Sequence, residues 1–105
     1  MTFKELCAAR YSVRAYKDEQ IPAEKLAYIK ECARLAPSAV NRQPWRLKMI
    51  TSAEGLAKVC ATYQRDWMAT AKAVIMVVAV KDEAWVRATD GKYHGAIDAA
   101  IITAP

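Results

Sequence analysis

Apolar positions recur along the chain with two periods, and the switches between them mark out the elements. From Pro22 to Ala36, the residues Pro22, Leu26, Ile29, Ala33 and Ala36 are spaced by four, three, four and three, which lines one face of a helix. Proline suits its first turn, and Glu24 complements the positive end of the dipole. Trp45, Leu47 and Met49 then alternate with Arg46 and Lys48 as far as Thr51, the period of a half-buried strand. Ser52 caps a helix that runs to about Tyr63, with Leu56, Val59, Cys60 and Tyr63 at helical spacing. Ala73 to Val80 is an unbroken apolar, β-branched run, expected of a central strand covered on both faces.

The ends of the chain are patterned less simply. Thr2 with Glu5 forms a capping-box signature, Met1 is placed to staple against Leu6, and Phe3, Leu6 and Cys7 make the stripe of a short helix ending at Ala9. Arg10 to Tyr16 has no helical face and is read as extended, with Arg10, Ser12 and Arg14 on one side and Tyr11, Val13 and Ala15 on the other. Gln64 to Thr70 is a connector containing Trp67, which the pattern does not place. A last helix is expected from near Lys92, burying Tyr93, Ile97, Ala100, Ile101 and Ala104. Asp98 interrupts that apolar face, where a helix or subunit contact is the modest reading. His94 has no Cys, Asp or second His at ligand spacing, so no metal site is expected.

Two stretches carry candidate chemistry. Ala36 to Trp45 joins the clearest helix to a strand through a loop pinned at both ends: Pro37 stops the helix, and Pro44 pushes Gln43 out of the α region. Between them Ser38 offers a hydroxyl, Asn41 tolerates left-handed backbone, and Gln43 offers an amide donor and acceptor. Such a loop on rigid supports suits ligand binding, although an ordinary helix-to-strand connection has similar ingredients. In the first stretch, two guanidiniums flank a hydroxyl on one face of Arg10 to Arg14, which suits a phosphate. A solvated edge whose charges deter aggregation is the alternative.

Composition narrows the class. The 105 residues fit one domain with a single core; 54% are hydrophobic and only 3 are Gly, which argues against disorder. The net charge of +5 is scattered instead of forming a stripe, so a small anion suits it better than nucleic acid. Cys7, Cys32 and Cys60 lack metal or disulfide spacing and are expected as small buried hydrophobes in a reducing compartment. No apolar run is long enough to span a bilayer and no secretory leader is evident, so a cytoplasmic protein is expected. The final helix becomes almost wholly apolar as the sequence stops, and two strands make a poor sheet. Either the molecule continues beyond Pro105 or a second copy completes it.

The order Arg10-x-Ser12-x-Arg14-x-Tyr16, then Ala36-Pro37-Ser38 with Asn41-x-Gln43-Pro44-Trp45, then Tyr63-Gln64 ahead of Ala73-Val74-Ile75, resembles the N-terminal part of the FMN-dependent nitroreductase family. The resemblance covers all 105 residues as one domain truncated at its C-terminus. It lacks the family's glycine-rich segment, last strands and C-terminal basic residue. It implies an α+β fold, incomplete here, with helices around a central, mainly antiparallel sheet. It also implies an intertwined homodimer with FMN at the subunit interface. Arg10 and Ser12 would meet the phosphate and ribityl chain, Tyr11 would also contact the cofactor, and Arg14 would reach the pyrimidine side of the ring. Pro37, Ser38, Ala39 and Asn41 would come from the other subunit, supported by Gln43, while Gln64 would bond the ring's polar edge. The implied activity is an NAD(P)H oxidoreductase that reduces nitroaromatic, quinone or similar electron-poor acceptors by a ping-pong hydride mechanism, with no side chain as general base. The alternative is a non-catalytic remnant acting as a dimerising or binding module.

Overall fold

In a computed structural model that describes residues 1–104, four helices surround a two-stranded sheet. Helix α1 is Phe3–Ala9, α2 is Ala23–Arg34, α3 is Ala53–Thr62 and α4 is Gly95–Ile101; strands β1 and β2 are Trp45–Ile50 and Val74–Ala79. The strands run antiparallel with Trp45 opposite Ala79 and Ile50 opposite Val74. The Val80 N–H donates to the Pro44 carbonyl at 2.8 Å, carrying the ladder one step past the strand. The core is small. Ala36, Trp45 and Ile102 form it, with Ala33, Leu47, Val77 and Ile101 packed around, so the end of α2, the sheet and α4 meet at one point. Among the described residues no helix is long and apolar enough to cross a membrane.

Local chemistry explains the helix starts. Thr2 Oγ1 accepts from the Glu5 N–H at 3.2 Å while Glu5 Oε2 accepts from the Thr2 N–H at 2.6 Å, the reciprocal cap expected from the sequence. Ser52 caps α3 through the Gly55 N–H at 3.1 Å. Pro22 serves as the N-cap of α2 and does not enter its first turn. Trp67 lies in a short 3₁₀ turn, Asp66–Thr70, and packs between Tyr16 and Tyr63 at centroid distances of 6.2 and 5.9 Å.

Several expectations are corrected. The last helix begins at Gly95, because Tyr93 is bridged to Val86 and the Gly91 turn (φ 68°) between them uses residues 87–92. The α1 stripe is not covered: Phe3 is 81% exposed, and Leu6 and Cys7 are exposed with it, so Cys7 is no buried hydrophobe. Nor does the parity of residues 10–16 create an inner face. The segment pairs with no strand, and Tyr11 and Val13 are exposed beside Arg10, Ser12 and Arg14. β2 is not enclosed on both faces, since Ile75, Met76 and Val78 are all exposed. The α1 stripe and the faces of β2 are apolar by sequence and lack a covering element within the described residues.

Candidate functional site

The Ala36–Trp45 loop stands as an arch on two buried feet. Ala36 and Pro44 are buried, whereas Pro37 and the crown from Val40 to Gln43 are exposed. Ala36 is held by its N–H bond to the Ala33 carbonyl at 3.1 Å, and a three-residue turn about Pro44 closes the other foot through Trp45 N–H and Gln43 C=O at 2.9 Å. Inside the arch, Ser38 acts twice. Its carbonyl accepts from the Asn41 N–H at 3.0 Å, and its hydroxyl oxygen accepts from the Gln43 N–H at 2.9 Å. The hydroxyl proton stays free to donate to a ligand.

The crown is strained. Val40, Asn41 and Gln43 have φ of 54°, 51° and 52°, all left-handed. Asn41 was expected to tolerate this. Gln43 does leave the right-handed α region before Pro44, but it enters the left-handed one, because its N–H must turn inward to reach Ser38. Val40 is the informative residue, since a β-branched side chain in that region costs roughly 1–3 kcal/mol and persists only where the surroundings enforce it.

One contact on the arch comes from far along the chain. Asp98 on α4 is 2% exposed, and its Oδ1 accepts from the Ala39 N–H at 3.0 Å. Among the described residues its Oδ2 is buried with no partner, as is Nε2 of His94 one turn earlier. His94 itself packs against Trp85, with the ring centroids 4.8 Å apart and the planes tilted by 46°. The sequence signal for this contact was a lone carboxylate in an apolar helix, but periodicity alone did not reveal what it held.

The N-terminal candidates form a second, separate group. Arg10 Nη1 approaches Ser12 Oγ at 3.4 Å, a weak bond, and neither Arg10 nor Arg14 is paired with a carboxylate among the described residues. Their charges are therefore available to an anion. The far end of this segment is tied down where the Tyr16 N–H donates to Thr70 Oγ1 at 3.2 Å. Among the described residues no hydrogen bond or ion pair joins residues 10–14 to the arch within one chain. Gln64 is exposed just past α3. The larger cavities lie elsewhere: one of about 600 Å³ is lined by Lys48, Thr51, Ser52, Glu54, Lys58 and Met76.

Helices packed on an antiparallel sheet, with a loop arch bonded from beneath by a buried carboxylate, define an α+β protein. Its lineage is specific. The family model for the Nitroreductase family matches residues 7–62, and the chain belongs to that family. Bacillus subtilis YdgI, whose name assigns it provisionally to the NAD(P)H nitroreductases, is 40% identical over 80 residues, spanning 73% of this chain and 38% of YdgI. A solved nitroreductase family protein of Clostridium difficile superposes with a TM-score of 0.89 at 40% identity, over 98% of this chain and 58% of that one. An FMN-dependent nitroreductase of the same species gives a TM-score of 0.74 at 26% identity, over 90% of this chain and 52% of that one. The chain thus spans about two-fifths of the curated relative and somewhat over half of the solved ones.

Proposed function

We propose that the chain is part of an FMN-dependent oxidoreductase that takes electrons from NAD(P)H and passes them to a small electron-poor acceptor, with each site shared between two subunits. The observation that carries this is the pairing, in a nitroreductase-family chain, of an unpaired Arg10-Ser12-Arg14 set with a strained, pre-shaped arch at Ser38–Gln43. The donor chemistry suits FMN. Two forked guanidiniums and a hydroxyl match a phosphate and the polar ring edge, and the Ser38 hydroxyl and Asn41 amide offer further donors. A solved relative is FMN-dependent by name, which supports the choice of flavin.

FMN, when bound, supplies the redox chemistry, and the protein's part is binding, orientation and electrostatics. Arg10, with Tyr11 and Ser12, would hold the phosphate and ribityl end. Arg14 would place positive charge on the pyrimidine side of the ring, favouring its anionic reduced form. The partner subunit's arch, through Pro37, Ser38, Ala39 and Asn41 backed by Gln43, would wall the ring, and Gln64 would bond its polar edge. No side chain is assigned as a general base.

The test is a titration of the purified protein with FMN, followed by flavin absorbance and fluorescence quenching. Saturable binding that weakens in Arg10→Ala, with a lower flavin potential in Arg14→Ala, is the expected result. A folded protein that binds no flavin would instead favour the reading as a non-catalytic dimerising module.

A further inference from the structure

We propose that Asp98 is the positioning residue that sets the shape of the arch, holding Ala39 so that the backbone at Val40 stays left-handed. The assignment of the arch to flavin contact rests on the function proposed above. The hold of Asp98 on the arch does not.

Three observations converge on this carboxylate. Among the described residues it has no cationic partner although it is buried, a costly placement unless its hydrogen bonds serve a purpose. The bond it does accept spans 59 residues and lands on the backbone N–H immediately before the strained Val40. The helix that carries it also packs on both strands, which places the carboxylate on one of the best-anchored elements of the chain. A valine in the left-handed region drifts back toward extended backbone unless its neighbours are fixed. Within the arch the bonds of Ser38 fix Asn41 and Gln43, and the Ala39 carbonyl accepts from the Arg42 N–H at 3.2 Å; among the described residues Asp98 supplies the hydrogen bond that reaches Ala39, the residue on the N-terminal side of Val40, from outside the arch. The arch is therefore keyed to α4, and any ligand that rests on the crown is oriented from beneath by a residue it does not touch.

The strain argument makes a coupling prediction, because glycine adopts the Val40 conformation freely. Deuterium uptake over residues 38–43 is measured for wild type, Asp98→Ala, Asp98→Asn, Val40→Gly and the Asp98→Ala/Val40→Gly double variant, all without flavin. Asp98→Ala is expected to speed exchange there by about tenfold or more while amides of β1 and β2 keep their protection. Asp98→Asn retains a carbonyl acceptor and should restore most of the protection. In the Val40→Gly background the effect of Asp98→Ala should shrink at least by half, since the strain it opposes is gone. In the same variants the FMN dissociation constant should rise with arch exchange.

Unchanged exchange in Asp98→Ala, or an effect of equal size in both Val40 backgrounds, overturns the proposal. Should Asp98→Ala unfold, the comparison is made with Asp98→Asn in the two backgrounds: fast exchange at 38–43 there, undiminished by Val40→Gly, overturns it equally. If wild type binds no FMN, the flavin reading fails and the exchange cycle still decides the role of Asp98.

Discussion

Ser38 shows how much a single small side chain can organise. Its carbonyl and hydroxyl each receive a backbone N–H of the arch, so one residue satisfies donors that a turn of this curvature would otherwise leave to water. Ser38→Ala removes the acceptor for the Gln43 N–H and should lower stability by about 0.5–1 kcal/mol, as expected for an exposed hydrogen bond. Ser38→Thr keeps the oxygen and should recover most of that. Urea unfolding with an unchanged m-value measures both. Ser38 and Asn41 were legible as loop formers from residue type. The left-handed Val40 was not, because valine gives no local hint of that conformation and the contact proposed to hold it lies 59 residues away.

Among elements, the cap of α1 is the most exposed to solution conditions. The Thr2 backbone N–H, and after it the Thr2 hydroxyl, hold the Glu5 carboxyl below its ordinary value of 4.5. Folded below unfolded means that the contribution is present above the unfolded value and is lost as the pH falls through the folded one. Helix α1 should therefore fray on acidification below about pH 4.5, its ordinary carboxyl value. Amide chemical shifts of residues 3–9 follow this, and Glu5→Gln should flatten the response. The capping signals read from sequence at Thr2 and Ser52 reproduce the helix starts because caps are local chemistry. The start of α4 was misplaced for the opposite reason: Tyr93 has helical spacing with Ile97, but the Val86 bridge captures it first.

At the scale of the molecule, the chain exposes more than a free-standing domain of its size. Its radius of gyration is 16.1 Å, against about 13 Å for a compact domain of this length. Its accessible surface is 8190 Å², against about 5,900 Å² for a folded monomer of this mass. Exposed large apolar residues run from the α1 stripe through Tyr28, Leu35 and Val40 to the outer positions of β2 and Ile97. Periodicity marked the α1 stripe and both faces of β2 as buried, and the structure leaves them exposed, because periodicity registers apolar character and not whether a cover is present. If a second copy covers α1, as the proposed shared site requires, sedimentation should show a dimer. Phe3→Glu with Leu6→Glu should raise its dissociation constant by at least about tenfold, given two apolar anchors lost. A wild-type monomer at high concentration would sink the shared-site arrangement.

Trp45 gives the molecule a native optical gauge. Its indole is buried at the core and covalently continuous with the Pro44 foot of the arch, whereas Trp67 and Trp85 are only partly shielded. An indole held away from water emits at shorter wavelength than a hydrated one, so a shift of that emission to the red reports the loosening of the arch footing without any label.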